Sequence, residues 1–592
     1  MSQPLSVLLD AAARLAARRA EARIRARLKR LSEGVRFDGL VHLPAARDFG
    51  DFNAARAVLK GELAIGGYRA ALRDLTPWDV ALPSPRLSWA LHGFAWLDDF
   101  EALGGKQARA RAQGWTLGWI DRFADGAGPG WAPHVVAGRL RRLLTQLDFL
   151  AKGLAEDRRE RIEGLLPLHV AYLAETWEEE ADDAPRLAAL CGLLTGAVCL
   201  AGQGAHVSRA LESVAGFCDE RITAQGGLAC RNPEALLSVF RDLLAIRAVL
   251  ADTGRRPLPQ LEDALQRIAP TLRALRHGDG RLARFHGASG GGDGVLDRAL
   301  AEARIRTRPT DAPAMGFVRL HGGRVTVIAD CARPPERSDT GHASTLGFEM
   351  SSGRRPVIVN TGPAVGHMPD WARAARTTAA HNTLALDKTS SSRLGPARVA
   401  GRPGFDALQT RPSLVSLARA EDASGMWIQV RHDGYLEDYG LVHERRLFVG
   451  SLGHQVHGED VLLSPDEKSR RRFASRIRGA SKLGVGLAIH FHLHPEVEAE
   501  LIRQTDSVRL RLKSGEVWLF RHEGGLMDLE ASVYLDPALA APLPARQIVV
   551  RSRATTHSAQ ISWSLLRENV APRAPRDVAG DLGIDTGSEG SH

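Results

Sequence analysis

Between positions 6 and about 300, apolar residues recur every three to four positions and alternating stretches are few. That spacing predicts helices that each bury one face. The clearest examples are 135–155 (VVAGRLRRLLTQLDFLAKGLA), 183–202, 207–224, 232–252 and 259–277, separated by short turns carrying Gly, Pro or Asp. Amphipathic helices of this length hide their apolar faces by pairing and stacking into an arc or ring. Helical solenoids share the period, but no residue signature repeats along the chain, which argues against a regular array. The Gly-rich run 286–294 (HGASGGGDG) is not a phosphate loop, because no strand precedes it and no helix follows at the required spacing. The helical pattern gives out near 300–314, where Pro309 and Pro313 punctuate the chain.

From position 316 the period becomes two. Phe317 to Leu320, a His-Gly-Gly turn and Arg324 to Ile328 predict a hairpin. Further strands are predicted at 346–350, 356–360, 426–431, 445–450, 485–493, 507–512, 516–521, 546–552 and 559–566. Many short strands separated by turn residues predict stacked antiparallel sheets. The expected organisation is a basic N-terminal helix over 1–39, a helical domain over 40–305, a β-sandwich domain over 314–568 and a disordered polar tail over 571–592.

Composition narrows the class. A chain of 592 residues is too long for one core, and 44% apolar with 25% charged residues is the mix of a water-soluble globular protein. The net charge of +9 fits an anionic partner, or arginines simply scattered beside Asp and Glu. The arginine clusters 139–142 and 470–472 are short, and only Phe473 adjoins them for stacking, so no nucleic-acid partner is expected. Five cysteines without a C-x-x-C pair predict buried thiols in a reducing compartment. The N-terminus has no apolar core or cleavage site, which points to the cytoplasm. The uncharged run 187–202 is short for a membrane span and predicts a buried helix, so no transmembrane segment is expected.

Seven phrases, in order, carry a resemblance to a known family. They are SWALHGFAWLDDF (88–100), GGLACRNPEAL (226–236), HGDGRLARFHG (277–287), GHASTLGFEM (341–350), RTTAAHNTLALD (376–387), HDGYLEDYGLVHERRL (432–447) and IHFHLHP (489–495). Together they resemble the heparinase II/III-like polysaccharide lyases from about residue 40 to 566. The resemblance implies an incomplete α/α toroid followed by an antiparallel β-sandwich. It also implies cleavage of uronate-containing glycans by β-elimination, an anionic polysaccharide as partner, and a cell-envelope or periplasmic location. Such chemistry needs a neutraliser for the uronate carboxylate, a base for the C5 proton and an acid for the leaving oxygen.

The resemblance assigns candidate roles. His342, in the H-x-x-x-L-x-F phrase, and His381, in A-H-N-T, resemble two ligands of a zinc site, with Asn360 at the position of the family's Asp. A neutral amide is a poorer zinc ligand than a carboxylate, and the alternative is that both histidines bond the backbone. Tyr435 is either a pocket phenol or an aromatic lid over the sheet. Tyr435 and His381 are the proton-transfer candidates. Arg376, with Arg373 beside it, is a carboxylate clamp or a surface ion pair. Arg231 and Asn232 are expected to line the toroid's groove. His443 either binds substrate or pairs with Glu444. His490, His492 and His494 alternate on one predicted strand face and either bind metal or are hydrogen-bonded.

The chain also departs from the family pattern. Ala235 and its neighbours replace a Tyr expected shortly after Pro233, Thr340 replaces a His, and the Asn-His pair of the family's toroid is missing. Two main readings therefore stand: a lyase using Tyr435, His381 and Arg376, or a catalytically silent glycan-binding or envelope-assembly protein on the same scaffold. A third is a helical scaffold for protein partners.

Overall fold

The computed structural model describes all residues except 1–2, 48, 67, 73–74, 310–311, 337–339, 365–370, 396–406, 481–483, 540 and 570–592. The tail expected to be disordered, 571–592, therefore lies outside the described residues. A helical half is followed by a half rich in antiparallel sheet. The architecture is an incomplete α/α toroid joined to a β-sandwich.

The helical half packs around Asp183–Cys199, whose residues 189–199 are all buried. This helix holds residues 187–199 of the uncharged run 187–202, whose last three residues lie beyond the helix, and it contacts Pro133–Thr145, Leu165–Thr176, Val207–Arg221 and Pro233–Asp252. Two glycines permit the crowding. A Cβ at Gly192 would overlap Ala137, and one at Gly196 would overlap Val170 and Leu140. Among the described residues no helix is long and apolar enough to cross a membrane. The N-terminal helix Gln3–Ser32 docks through Arg27 and Arg30, which pair with Glu175 and Glu179.

The arginine run 139–142 is internal. Arg139 has no exposed surface and lies 4.0 Å from the centre of the Trp119 ring and 5.2 Å from that of Trp131. It donates to the carbonyls of His92 and Gly130 at 2.8 and 2.9 Å. Arg141 and Arg142 pair with Asp242 and Asp98, each at 2.7 Å.

In the β half, Phe317–Gly322 and Val325–Asp330 form the expected hairpin, turning at Gly323, whose φ of +51° suits glycine. With Phe348–Ser352 and Arg355–Ile358 they make a four-stranded sheet. A second sheet orders Leu526–Tyr534, Leu543–Ala554, Val485–His492 and Leu384–Leu386. The largest has eight strands: Val415–Asp422, Gly425–His432, Val442–Gly450, Gln455–Leu463, Ser558–Asn569, Val517–Glu523, Ser507–Arg511 and Glu498–Ile502. The short strands Leu384–Leu386, Arg393–Leu394 and Leu408–Thr410 escaped the periodicity reading, being too brief to show a period. So did four longer strands: Val415–Asp422, Gln455–Leu463, Glu498–Ile502 and Leu526–Tyr534. Each is only half-buried, so few apolar residues mark it. The hairpin of Glu62–Ile65 and Tyr68–Ala71 within the helical half was also unforeseen.

Gly192→Val forces side-chain carbon into the contact with Ala137, and overpacking of this kind costs about 1–3 kcal/mol. Urea unfolding of the variant should show a lower midpoint with unchanged slope; an unaltered midpoint would mean the helices are not in close contact.

Candidate functional site

The seam between the two halves gathers most of the residues singled out in the sequence. Arg231 precedes Asn232, which caps helix Pro233–Asp252 by accepting from the N–H groups of Glu234 and Ala235. The Asn232 amide also donates to the His286 carbonyl at 2.9 Å. Arg231 crosses to the β half. It donates to Asp330 at 2.5 Å and to the carbonyls of Met315 and Arg333 at 2.7 and 2.8 Å. Its guanidinium lies 4.6 Å from the Phe317 ring centre. Arg231, His286, Met315 and Leu346 all adopt positive φ, between 48° and 66°, a strained state for residues with a Cβ that surrounding contacts must hold.

Asp330 ends a strand whose every residue is buried. Besides Arg231 it accepts the Ser344 hydroxyl at 2.7 Å and faces His286 Nε2 at 3.4 Å. Burial alone would raise the Asp330 pKa, but Arg231 and His286 hold it well below the usual carboxylate range. The Nδ1 of His286 accepts the backbone N–H of His342 at 3.2 Å, so a neutral His286 carries its proton on Nε2, towards Asp330.

A second chain of bonds starts at Asn360. Its Nδ2 donates to the Arg284 carbonyl, which orients its Oδ1 towards His381 Nδ1, 2.9 Å away. The His381 proton therefore sits on Nδ1, and its Nε2 accepts from His342 Nδ1 at 3.1 Å. Burial, aided by neighbouring imidazoles, pushes the His381 pKa down to about 3 and that of His342 well below its usual value. These histidines are neutral at physiological pH. Arg376 is buried beside them and donates to the Gly341 carbonyl at 2.8 Å.

Several expectations are corrected by this geometry. His342, Asn360 and His381 do meet, but in a line: Asn360 occupies the far nitrogen of His381. The set offers two imidazole nitrogens and no third donor at a shared point, short of the three protein ligands a zinc site requires. Among the described residues no group of three His, Cys, Asp or Glu is arranged to hold a metal. The residues do not fit zinc. Arg231 and Asn232 are structural links and do not line an open groove. Tyr435 has no exposed surface and donates its hydroxyl to the Leu384 carbonyl at 2.7 Å; burial pushes its pKa up. It is a core tyrosine. His443 bonds Asp460 at 2.7 Å and not Glu444, because successive residues of a strand point to opposite faces. Glu444 pairs with Arg431 and Arg446 instead. His490 and His492 share a face but keep separate partners, Gln547 for one and Ser532 with the Ala379 carbonyl for the other.

Sequence reasoning missed His286, Asp330 and Ser344. Asp330 did leave a signal: a carboxylate closing the apolar run VTVIAD needs a buried partner.

Arg231→Met leaves Asp330 buried and uncompensated, a loss of about 3–5 kcal/mol, measurable as a lower denaturation midpoint; Arg231→Met combined with Asp330→Leu should recover part of it. The imidazoles predict a pH dependence. Their folded pKa values lie below the unfolded value of about 6.5, so as pH falls the unfolded state binds protons the folded state refuses. Stability is full above about pH 6.5 and declines below it, by up to about 1.4 kcal/mol per pH unit for each such histidine. Asp330 adds a further loss below about pH 4. A melting temperature that stays level from pH 7 to pH 5 would contradict this.

Comparison with known proteins agrees with the architecture. The family model described as Heparinase II/III-like, C-terminal matches residues 304–564. FtsZ-localized protein C of Caulobacter vibrioides is 31% identical over 532 residues, covering 86% of this chain and 87% of that protein. The crystal structure of heparinase III aligns with a TM-score of 0.69 at 11% identity, covering 92% of this chain and 90% of that one. Heparan sulfate lyase HepC from Pedobacter heparinus aligns with a TM-score of 0.54 at 12% identity, covering 94% and 89%. At such low identity the two lyases speak for the fold alone. With the family model matched over residues 304–564 and the relative from Caulobacter aligned over most of both chains, the chain belongs to the heparinase II/III-like family.

Proposed function

We propose that this protein is a member of the family that does not cleave glycans and serves instead as an envelope-assembly protein associated with FtsZ. The observation that carries this reading is the sealing of its proton-transfer candidates. Tyr435 has no exposed surface and spends its proton on a backbone carbonyl. His381 is 1% exposed, with both ring nitrogens engaged by Asn360 and His342. A general acid or base must come within about 2.6–3.2 Å of the proton it moves, and neither group offers a surface for a sugar to reach. Ala235 and Thr340 stand where the family pattern has Tyr and His, so no replacement phenol or imidazole comes from those positions.

The relative in Caulobacter, named for its localisation to FtsZ and similar over nearly the full chain, supports the FtsZ association. The lyase reading draws on fold, and fold does not carry chemistry by itself.

The test combines two measurements on the purified full chain. Incubated with heparan sulfate, alginate and bacterial exopolysaccharides, it should produce no rise in the ultraviolet band of unsaturated uronates. Mixed with FtsZ polymerised by GTP, it should sediment with the filaments and remain in the supernatant without them. An absorbance rise that Tyr435→Phe abolishes would restore the lyase; failure to sediment would remove the FtsZ association.

A further inference from the structure

At the same seam, but on the far side of Asn360, the loop after helix Pro259–Ala274 faces the β half across a pocket of ≈ 40 Å³. His277, Arg281 and Arg284 line it from the loop; Glu349, His494 and Tyr534 line it from the sheets. Arg284 is only 6% exposed. Its guanidinium lies 3.9 Å from the Tyr534 ring centre, and its Nη2 donates to the Leu535 carbonyl. Its Nε and Nη1 find no hydrogen-bond partner, and among the described residues it forms no ion pair.

The neighbouring carboxylates do not satisfy it. The oxygens of Glu349 accept the backbone N–H groups of Arg284 and Asn360, each at 2.9 Å, and face His277 Nε2 at 3.4 Å. Asp536 is taken up by Arg281 at 3.3 Å. Arg281 Nε also has no hydrogen-bond partner. Glu349 opposes the Arg284 charge but accepts none of its side-chain donors. Buried guanidinium N–H groups left without acceptors are a standing cost to the fold, and such donors lining a cavity mark a place for an anion.

We propose that this pocket binds a single carboxylate carried by a small acid or a sugar acid. Arg284 supplies the buried charge, the more exposed Arg281 draws the anion in, and the Tyr534 ring holds the Arg284 guanidinium in place. Size and charge select the ligand. A cavity of ≈ 40 Å³ holds roughly three water-sized groups at ~10–15 Å³ each, which suits a planar carboxylate whose remainder extends outwards. Glu349 and Asp279 also line the pocket, and their charges admit a monoanion more readily than a phosphate dianion. The site does not depend on whether the protein cleaves glycans or meets FtsZ.

The experiment titrates the full chain with sodium acetate, sodium glucuronate and inorganic phosphate at constant ionic strength, reading heat of binding and melting temperature. At least one carboxylate should bind saturably and raise the melting temperature above the chloride control. Equal affinities would identify simple acids as ligands; binding of glucuronate alone would identify sugar acids. Arg284→Met should raise the melting temperature of the unliganded protein, since it removes buried donors that have no acceptor, and weaken carboxylate binding by about tenfold or more. A purely structural Arg284 would lower the melting temperature instead. Arg281→Gln, at a half-exposed position where the amide can still donate to Asp536, should weaken binding severalfold. The proposal is overturned by absence of saturable carboxylate binding, by binding of phosphate alone, or by unchanged affinity in Arg281→Gln.

Discussion

Asp330 has no contact with solvent, and its oxygens hold Arg231 of the toroid together with Ser344 of the β half. A carboxylate so placed must keep its partners, because losing one strands a charge where water cannot reach it. That demand fixes more than one ion pair. It draws the turn before helix Pro233–Asp252 onto the end of strand Val325–Asp330, and it orients the His286 proton. His286 in turn accepts the His342 backbone N–H, so the position of the histidine chain follows from the same carboxylate. The left-handed backbone at Arg231, His286, Met315 and Leu346 is tolerated because these contacts over-determine it.

The consequence for chemistry is a seam rich in imidazole that stays uncharged. His342, His381 and His492 are buried with pKa values lowered chiefly by burial, and their hydrogen bonds run to one another, to amides and to backbone. Such a network rigidifies an interface when every member is satisfied. It is a poor acid–base device, since a proton entering it would have to charge a group that the surroundings keep neutral. The contrast with the pocket beside it is physical: there, Arg284 and Arg281 retain donors without a hydrogen-bond partner. One side of Asn360 is a closed chain of imidazoles, and the other keeps buried guanidinium donors unused.

The basic composition resolves in the same way. Several arginines are built into the architecture. Arg139 is stacked among aromatic rings, Arg141 and Arg142 are paired across helices, and Arg445 is bound to Asp460 in the β core. Guanidinium suits such places, being planar, permanently charged and able to serve several carbonyls at once. Net charge alone therefore says little about partners here.

The sequence by itself determined the two-part architecture, because the period of apolar positions changes from helical to alternating near residue 300, and periodicity is a local property of the chain. It also determined that most of the run 187–202 is an interior helix and that the phrases around residues 231, 286, 342 and 381 belong to one family. The strands it hid are either two or three residues long, too brief for a period, or half-buried, with few apolar side chains to mark them. What only the tertiary structure decided is the state of each candidate group. Whether Tyr435 reaches a substrate or a backbone carbonyl, whether Asn360 meets a metal or the far nitrogen of His381, and whether His443 pairs with Glu444 or Asp460 depend on neighbours distant in sequence. Residue type and spacing state what a side chain is able to do; burial and partners, set by long-range packing, decide what it is free to do.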